Sequence, residues 1–430
     1  MKRLFVLSFL SAGYFLHAQS IGNSPYASFG IGDVKYDNTV DINSMGGVST
    51  AYVSDFNNSF NFANPAANLN LELTSIKVEG TNENNFYKTN VDNTKVTKHS
   101  TYLSNISIAF PLSPKVKFGL GFQPYSSKNY NFINTTVNNN NTVDTSDDYT
   151  TVNRFTGTGT ISTVQGGLSY EITPGFALGL RGNFYFGNLY NTEEITNSAA
   201  TLINGYQTKN RIETYDFTLG TVYQKKLAND RKLTLGATYT FGATGKTETY
   251  YKNSTYYYGV AGNLVDEFII DENLQKDNNL FPMKASFGAG IGKDLNWFLG
   301  AQADYKQGQS VLFLGKDFQY KDSYKASIGG WYLPNANNFR SYLQRVVYRY
   351  GAYYEKGSLF LNGKNINEFA LTGGVTLPFT GKTNAASALE IGIEVGKRGT
   401  LKNNLINQNF INLKIGINFA DKWFRKSLYD

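Results

Sequence analysis

Ile411-Asn412-Leu413-Lys414-Ile415-Gly416-Ile417-Asn418-Phe419 alternates apolar and polar residues without a break. A period of two places Ile411, Leu413, Ile415, Ile417 and Phe419 on one face and Asn412, Lys414, Gly416 and Asn418 on the other. That is the mark of a strand between two unlike environments. Upstream, Leu389, Ile391, Ile393 and Val395 oppose Glu390, Gly392 and Glu394. Near the start, Val116, Phe118, Leu120 and Phe122 oppose Lys117, Gly119, Gly121 and Gln123. A charge-free face backed by a charged one fits a wall between lipid and a polar lumen. In a soluble sandwich the charged face would be the solvent face, so no single strand decides.

The series decides. Segments of this kind fall at 71–79, 100–111, 115–130, 155–171, 175–191, 210–227, 231–250, 280–293, 296–307, 323–333, 341–356, 367–378, 385–397 and 408–420. They predict an all-β fold, a transmembrane antiparallel barrel of about fourteen strands; an even number is the rule for single-chain bacterial barrels. Short connections at Ser113-Pro114, Thr173–Gly175, Ala228–Asp230, Lys293-Asp294, Pro334–Asn338 and Gly381–Asn384 alternate with longer polar ones. The long set is Thr81–His99, Asn131–Arg154, Thr192–Lys209, Tyr251–Asn279 and Gly308–Asp322, with shorter loops near Asn362 and Asn403. Short periplasmic turns and long extracellular loops are the pattern of an outer-membrane barrel with both termini periplasmic. Strands longer than the 9–11 residues that cross a bilayer predict a β-rich rim above it.

The chain opens with Lys2 and Arg3, an apolar run from Leu4 to Leu16, and Ala18-Gln19. This reads as a secretory signal peptide over 1–18, too short for a membrane helix of about 20 residues. There is no cysteine, and of the two histidines His17 leaves with the signal and His99 stands alone. A lipoprotein anchor, a thiol nucleophile and the common metal and acid–base sets are thereby excluded; no enzyme, metal or cofactor is expected. The 31 Tyr, 31 Phe and 42 Gly suit a barrel. The net charge of +7 is modest, with no basic face interleaved with aromatics, so nucleic acid is not an expected partner, while outer-membrane lipid is.

Residues 19–70 lack the alternation. They contain Ser44-Met45-Gly46-Gly47-Val48-Ser49-Thr50-Ala51, Asp55 and Phe62-Ala63-Asn64-Pro65-Ala66, preceded by Ser24-Pro25-Tyr26 and Phe29–Asp33. Glycines at 46 and 47 allow close backbone approach, and Pro65 disfavours helix at Asn64. These motifs resemble the N-terminal plug of the FadL/TodX outer-membrane transporter superfamily, in a Bacteroidota-type, Gram-negative form. Met45, Gly46, Gly47, Asn64, Pro65 and Ala66 are the matching plug residues. The resemblance implies a plug over 19–70, a barrel over 71–420, and passive uptake of a small hydrophobic ligand such as a long-chain fatty acid. It also implies lateral release through a kink in the third strand.

Most of the nine prolines flank turns or lie in the plug segment, but Pro124 falls inside the third strand. Proline cannot donate to a ladder, so Pro124 predicts a break beside a neighbour, with Gly119 and Gly121 easing the bend. Arg181, Arg345 and Arg349 are lumen candidates by alternation for a carboxylate-bearing ligand. Glu390, Glu394, Glu355 and Asp304 could pair with them instead. Residues 421–430 read as a periplasmic C-terminal tail with Trp423 as an interfacial anchor. An alternative function stays open: members of this superfamily in Bacteroidota are associated with multi-protein outer-membrane secretion or barrel-assembly machines, which would make other outer-membrane proteins its partners.

Overall fold

The computed structural model describes residues 21–35, 38–56, 59–90, 94–138, 148–242, 246–260, 262–277, 281–313, 316–338, 340–379 and 387–422. The expected signal peptide and nearly all of the C-terminal tail, Trp423 included, lie outside them.

Fourteen antiparallel strands close a barrel. In chain order they are β1 (Thr74–Lys88), β2 (Lys95–Pro111), β3 (Val116–Asn138), β4 (Tyr149–Thr173), β5 (Phe176–Asn197), β6 (Ile203–Lys226) and β7 (Arg231–Phe241). The second half is β8 (Lys284–Lys293), β9 (Trp297–Lys306), β10 (Ser323–Tyr332), β11 (Val347–Lys356), β12 (Glu368–Pro378), β13 (Ala388–Gly399) and β14 (Asn407–Asp421). β14 returns to β1, with Thr74 opposite Asp421 and Lys88 opposite Asn407. The alternation sets the faces as expected: on β6, Tyr215, Phe217, Leu219 and Tyr223 point out while Thr214, Asp216 and Thr218 are buried. A charge on the lipid face costs about 2–4 kcal/mol at the bilayer midplane, so the outward rows stay apolar. No described helix is long and apolar enough to cross a membrane; the strands do that. This is an outer-membrane β-barrel.

The wall is uneven. β8 to β11 each have 10 residues, the length of one bilayer crossing. β3 to β6 have 23, 25, 22 and 24, so each continues for ten or more residues past that length. They form a tall fin at the loop end. One strand expected at 231–250 is in fact two. β7 stops at Phe241, and Lys246–Tyr258 leaves β8 to pair with the outer half of β6, Ile203 opposite Tyr256. The stretch Tyr251–Asn279, expected as a loop, completes a hairpin with Leu264–Asp277. The alternation that marked the strand could not say which neighbour it would join.

Inside, the N-terminal segment makes a one-turn 3-10 helix (Pro25–Ser28), a two-residue strand (Asp33–Val34) and the short helix α1 (Val40–Asn43). Met45 to Leu71 sits in the turn-end half, packed on Trp331, Leu333 and Val347. Both ends of the barrel wall, Thr74 and Asp421, lie at the turn end. The first described residues do not: Gly22 lies beside Ser100 and Ser127, well up the strands. The chain therefore runs down the lumen before entering β1.

Candidate functional site

The plug is seated on a ring of glycines supplied by the wall. A Cβ on Gly329 would lie 2.1 Å from the Met45 carbonyl oxygen, and one on Gly351 would lie 2.3 Å from the Gly46 nitrogen. Gly236 faces the Thr50 carbonyl at 2.0 Å, Gly179 the Pro65–Ala66 peptide at 2.3 Å, and Gly220 the Asn64 side chain at 2.2 Å. Distances this short mean plug backbone rests directly on wall backbone. Gly46 and Gly47 have φ of +70° and +84°, the left-handed region that glycine reaches without strain. Asn64 bridges the two bodies, its amide donating to the carbonyls of Thr50 (2.6 Å) and Thr221 (3.0 Å). The Gln302 Oε1 accepts from the Ser49 and Thr50 amides at 2.8 Å each.

Below α1 the plug is tied by buried charge. Lys77 Nζ on β1 lies 2.8 Å from Asp41 and 2.9 Å from Glu390, with Glu79 at 3.5 Å. Asp41, Glu79 and Glu390 converge closely enough for their oxygens to surround one cation, and the Lys77 ammonium is that cation. Burial pushes the Asp41 carboxyl upward, but Lys77 and Arg349 outweigh it and hold it well below the usual carboxylate range. The Glu79 Oε1 also accepts from the Val40 amide at 2.9 Å, at the first turn of α1.

At the loop end the wall has a seam. β2 and β3 pair only from Ile106–Phe122 to Pro111–Lys117. Beyond Phe122, β3 stays on β4 through a bulge between Pro124 and Ser126. The plug's first residues fill the opened side. Asp33–Val34 pairs with Ser127–Ser126, the Gly22 amide donates to Ser100 Oγ (3.0 Å), and the Asn129 amide donates to the Gly22 carbonyl (2.8 Å). Lys35 bridges Asp33 and Glu83 at 2.9 Å each, and Arg398 on β13 grips Asp33 at 2.6 Å. Burial would raise the Asp33 carboxyl; Lys35 and Arg398 hold it well below the ordinary range. Residues 123–128 are buried without alternation because protein covers both faces. Tyr125, the bulged residue, packs on Tyr185 and Phe281.

Above the plug two cavities of about 310 and 220 Å³ share Lys284, Lys306, Lys325 and Glu355. Asp33 and Arg398 line the larger one. Small-molecule pockets are mostly apolar with few polar groups; this chamber mixes many charged side chains with apolar ones such as Ile31, Tyr320, Leu359 and Ile366.

The plug residues expected from sequence, Met45, Gly46, Gly47, Asn64, Pro65 and Ala66, all sit against the wall. Pro124 lies beside the end of the β2–β3 ladder. Gly119 and Gly121 do not ease a bend. Both are inside that ladder, opposite Ala109 and Ser107; a Cβ on Gly119 would lie 2.5 Å from the Phe60 ring, and one on Gly121 would lie 3.0 Å from Gln165 and 3.2 Å from Phe62. Arg181 faces the lumen, but its guanidinium donates to the Phe62 carbonyl and to Thr218 Oγ1. Arg349 lies over the Phe56 ring with Asp41 at 4.0 Å. Both arginines face the plug. Arg345 is not on a strand: a 3-10 turn over Tyr342–Arg345 breaks the alternation and stacks it on Tyr342 at the turn end. Of the carboxylates proposed as partners, Glu390 pairs with Lys77 (2.9 Å) within the electrostatic reach of Arg349, Glu394 pairs with Lys414 (3.3 Å), Glu355 accepts from Ser323 and Asp304 from Gln302. Sequence reading missed Lys77, Asp41 and the glycine ring. The signal available was charge and glycine on the inward positions of the alternation.

These features define a plugged fourteen-strand barrel of the FadL/TodX type. The Pseudomonas putida toluene transporter TodX is similar at 16% identity with a TM-score of 0.56, over 90% of this chain and 98% of its own. The CymD monoaromatic hydrocarbon channel is similar at 11% and 0.56, again over 90% and 98%. A Pseudomonas aeruginosa FadL homologue gives 11% and 0.53 over the same shares. At such identities the likeness is one of fold. The chain belongs to the BamG family, whose model matches residues 1–430. No curated protein sequence matches it.

Proposed function

We propose that this chain is a scaffold subunit of a multi-protein outer-membrane machine, of the secretion or barrel-assembly kind, built on a transporter fold whose passage is closed. The observation that carries this reading is the lumen: a charged chamber above a plug that touches the wall backbone to backbone and is held by buried ion pairs. An apolar ligand would have to enter past several charged side chains, Lys284, Lys306, Lys325, Glu355 and Arg398, and taking their water away costs free energy. The loop end faces outside the cell and the short turns face the periplasm, so the fin stands on the cell surface, where other proteins can reach it. Outer-membrane lipid covers the apolar belt.

The test is affinity purification at native expression in mild detergent. Stoichiometric outer-membrane partners are expected; a lone barrel carrying only lipid would overturn the reading.

A second reading is passive uptake of small hydrophobic compounds, such as long-chain fatty acids, with lateral release near Pro124. It is favoured by the seam where β3 leaves β2, and by the fold shared with a toluene transporter and a monoaromatic hydrocarbon channel. Pro124→Val should then lower hydrophobic uptake, and unchanged uptake rules out that exit.

A further inference from the structure

The outermost strand of the fin, Leu264–Asp277, pairs on one side with Lys246–Tyr258, and no described strand pairs with its other side. A long free edge offers a row of unpaired amides and carbonyls and is a template for another chain. Here the edge carries Phe268, Ile269, Ile270 and Leu274, all exposed; Phe268 is 69% accessible. Asp266, Glu267, Asp271 and Glu272 interleave with them, against the single Lys276.

The strand carries two register shifts, at Val265/Phe268 and Ile269/Asp271, and side chains tie it and its neighbour to the fin. Tyr256 of the inner hairpin strand is buried over Gly205, whose Cβ would lie 2.5 Å from its ring, and its hydroxyl donates to Glu194 at 2.8 Å. Glu267 is fixed by Lys252 at 2.6 Å and by the Ser254 hydroxyl at 2.9 Å. A template fixed beforehand loses little entropy when a strand is added.

The charges select the occupant. A second copy adding edge to edge would set carboxylates against carboxylates, and like charges opposite one another destabilise a strand pair. A basic strand would neutralise the edge. We propose that Leu264–Asp277 receives an extended, lysine- or arginine-rich segment of a partner protein at the cell surface, which adds to the fin as a further strand. Main-chain hydrogen bonds would supply affinity, and apolar side chains of the added strand would cover exposed apolar residues of the edge, Phe268 and Leu274 among them. This inference rests on the scaffold reading.

The probe is a short peptide alternating lysine and valine, titrated onto the whole purified barrel in detergent by fluorescence anisotropy. Binding that weakens with salt is expected, with a loss of about tenfold or more in Asp271→Lys/Glu272→Lys. The same peptide methylated on alternate backbone nitrogens should lose binding to a similar degree, because strand addition needs its amides. Equal binding of the methylated peptide, or of a glutamate–valine peptide, would overturn the proposal. Native-level purification of the charge-reversed variant separates the two readings. Partners lost from the variant but kept by the wild type support the edge. Partners kept by both overturn the edge and leave the scaffold standing, whereas a wild-type barrel that purifies alone overturns both.

Discussion

The plugged lumen and the fin are built from the same alternating strands, yet they handle polar groups in opposite ways. In the lumen, charge is buried and paired: Lys77 with three carboxylates, and Asp33 with Lys35 and Arg398. In the fin, charge and large apolar side chains lie exposed on an edge that pairs with one described strand. The first arrangement is closed off inside the barrel, its charges facing one another across the plug and the wall. The second leaves apolar and charged side chains where a partner can reach them. On the scaffold reading, binding belongs to the rim and not to the pore.

The comparison breaks most readily at Lys77. Lys77→Met leaves Asp41, Glu79 and Glu390 buried together without their cation, at an expected cost of about 3–5 kcal/mol. Loss of the heat-resistant folded band in gel electrophoresis would register it; wild-type resistance would mean that the plug is not tied there. Next comes the glycine ring. Gly329→Val puts a side chain into the Met45 backbone, 2.1 Å from a Cβ, and should cost about 1–3 kcal/mol or more by overpacking. Protease cleavage inside the plug should rise with it, and an uncut plug would deny the close seating.

A smaller effect is expected from Asp55, whose carboxyl is raised to about 6 by burial and by Asp294 nearby, while the Leu295 amide bond pulls it back. Its protonated form is favoured in the fold, so the stability it contributes is present at acid pH and declines as pH rises from about 4 through 6. The change should be on the order of 2 kcal/mol or less. Asp55→Asn should flatten urea-unfolding stability across that window; an unchanged slope would remove Asp55 as its source. The smallest effect belongs to the fin, where Asp271→Lys/Glu272→Lys should alter barrel stability by less than about 0.5 kcal/mol, since surface changes seldom do more. A large destabilisation there would mean that the edge is part of the fold and not a docking place.

Much of the fold was legible in the sequence. Each of the fourteen strands was located by alternation, because a wall between lipid and lumen imposes a two-residue period on every crossing. The plug was legible through Gly46-Gly47 and Asn64-Pro65-Ala66, residues whose backbone demands are local. The hairpin strand Lys246–Tyr258 was not, since alternation marks a strand without naming its neighbour. Arg345 was misplaced because a 3-10 turn shifts the phase of everything before Val347. Gly119 and Gly121 had been expected to permit a bend, and they sit inside the ladder against Phe60, Gln165 and Phe62 instead.

The sequence alone therefore determined the element type, the strand number and the facing of side chains, all consequences of a periodicity that each segment carries within itself. Only the tertiary structure decided that inward glycines on distant strands form one seat and that Gly22–Lys35 fills the seam beside Pro124. It also decided that Lys77 meets Asp41 and Glu390 and that Leu264–Asp277 ends as an edge with no second partner among the described strands. Each of these depends on contacts between residues far apart in the chain, and a one-dimensional pattern holds no record of which pairs will meet.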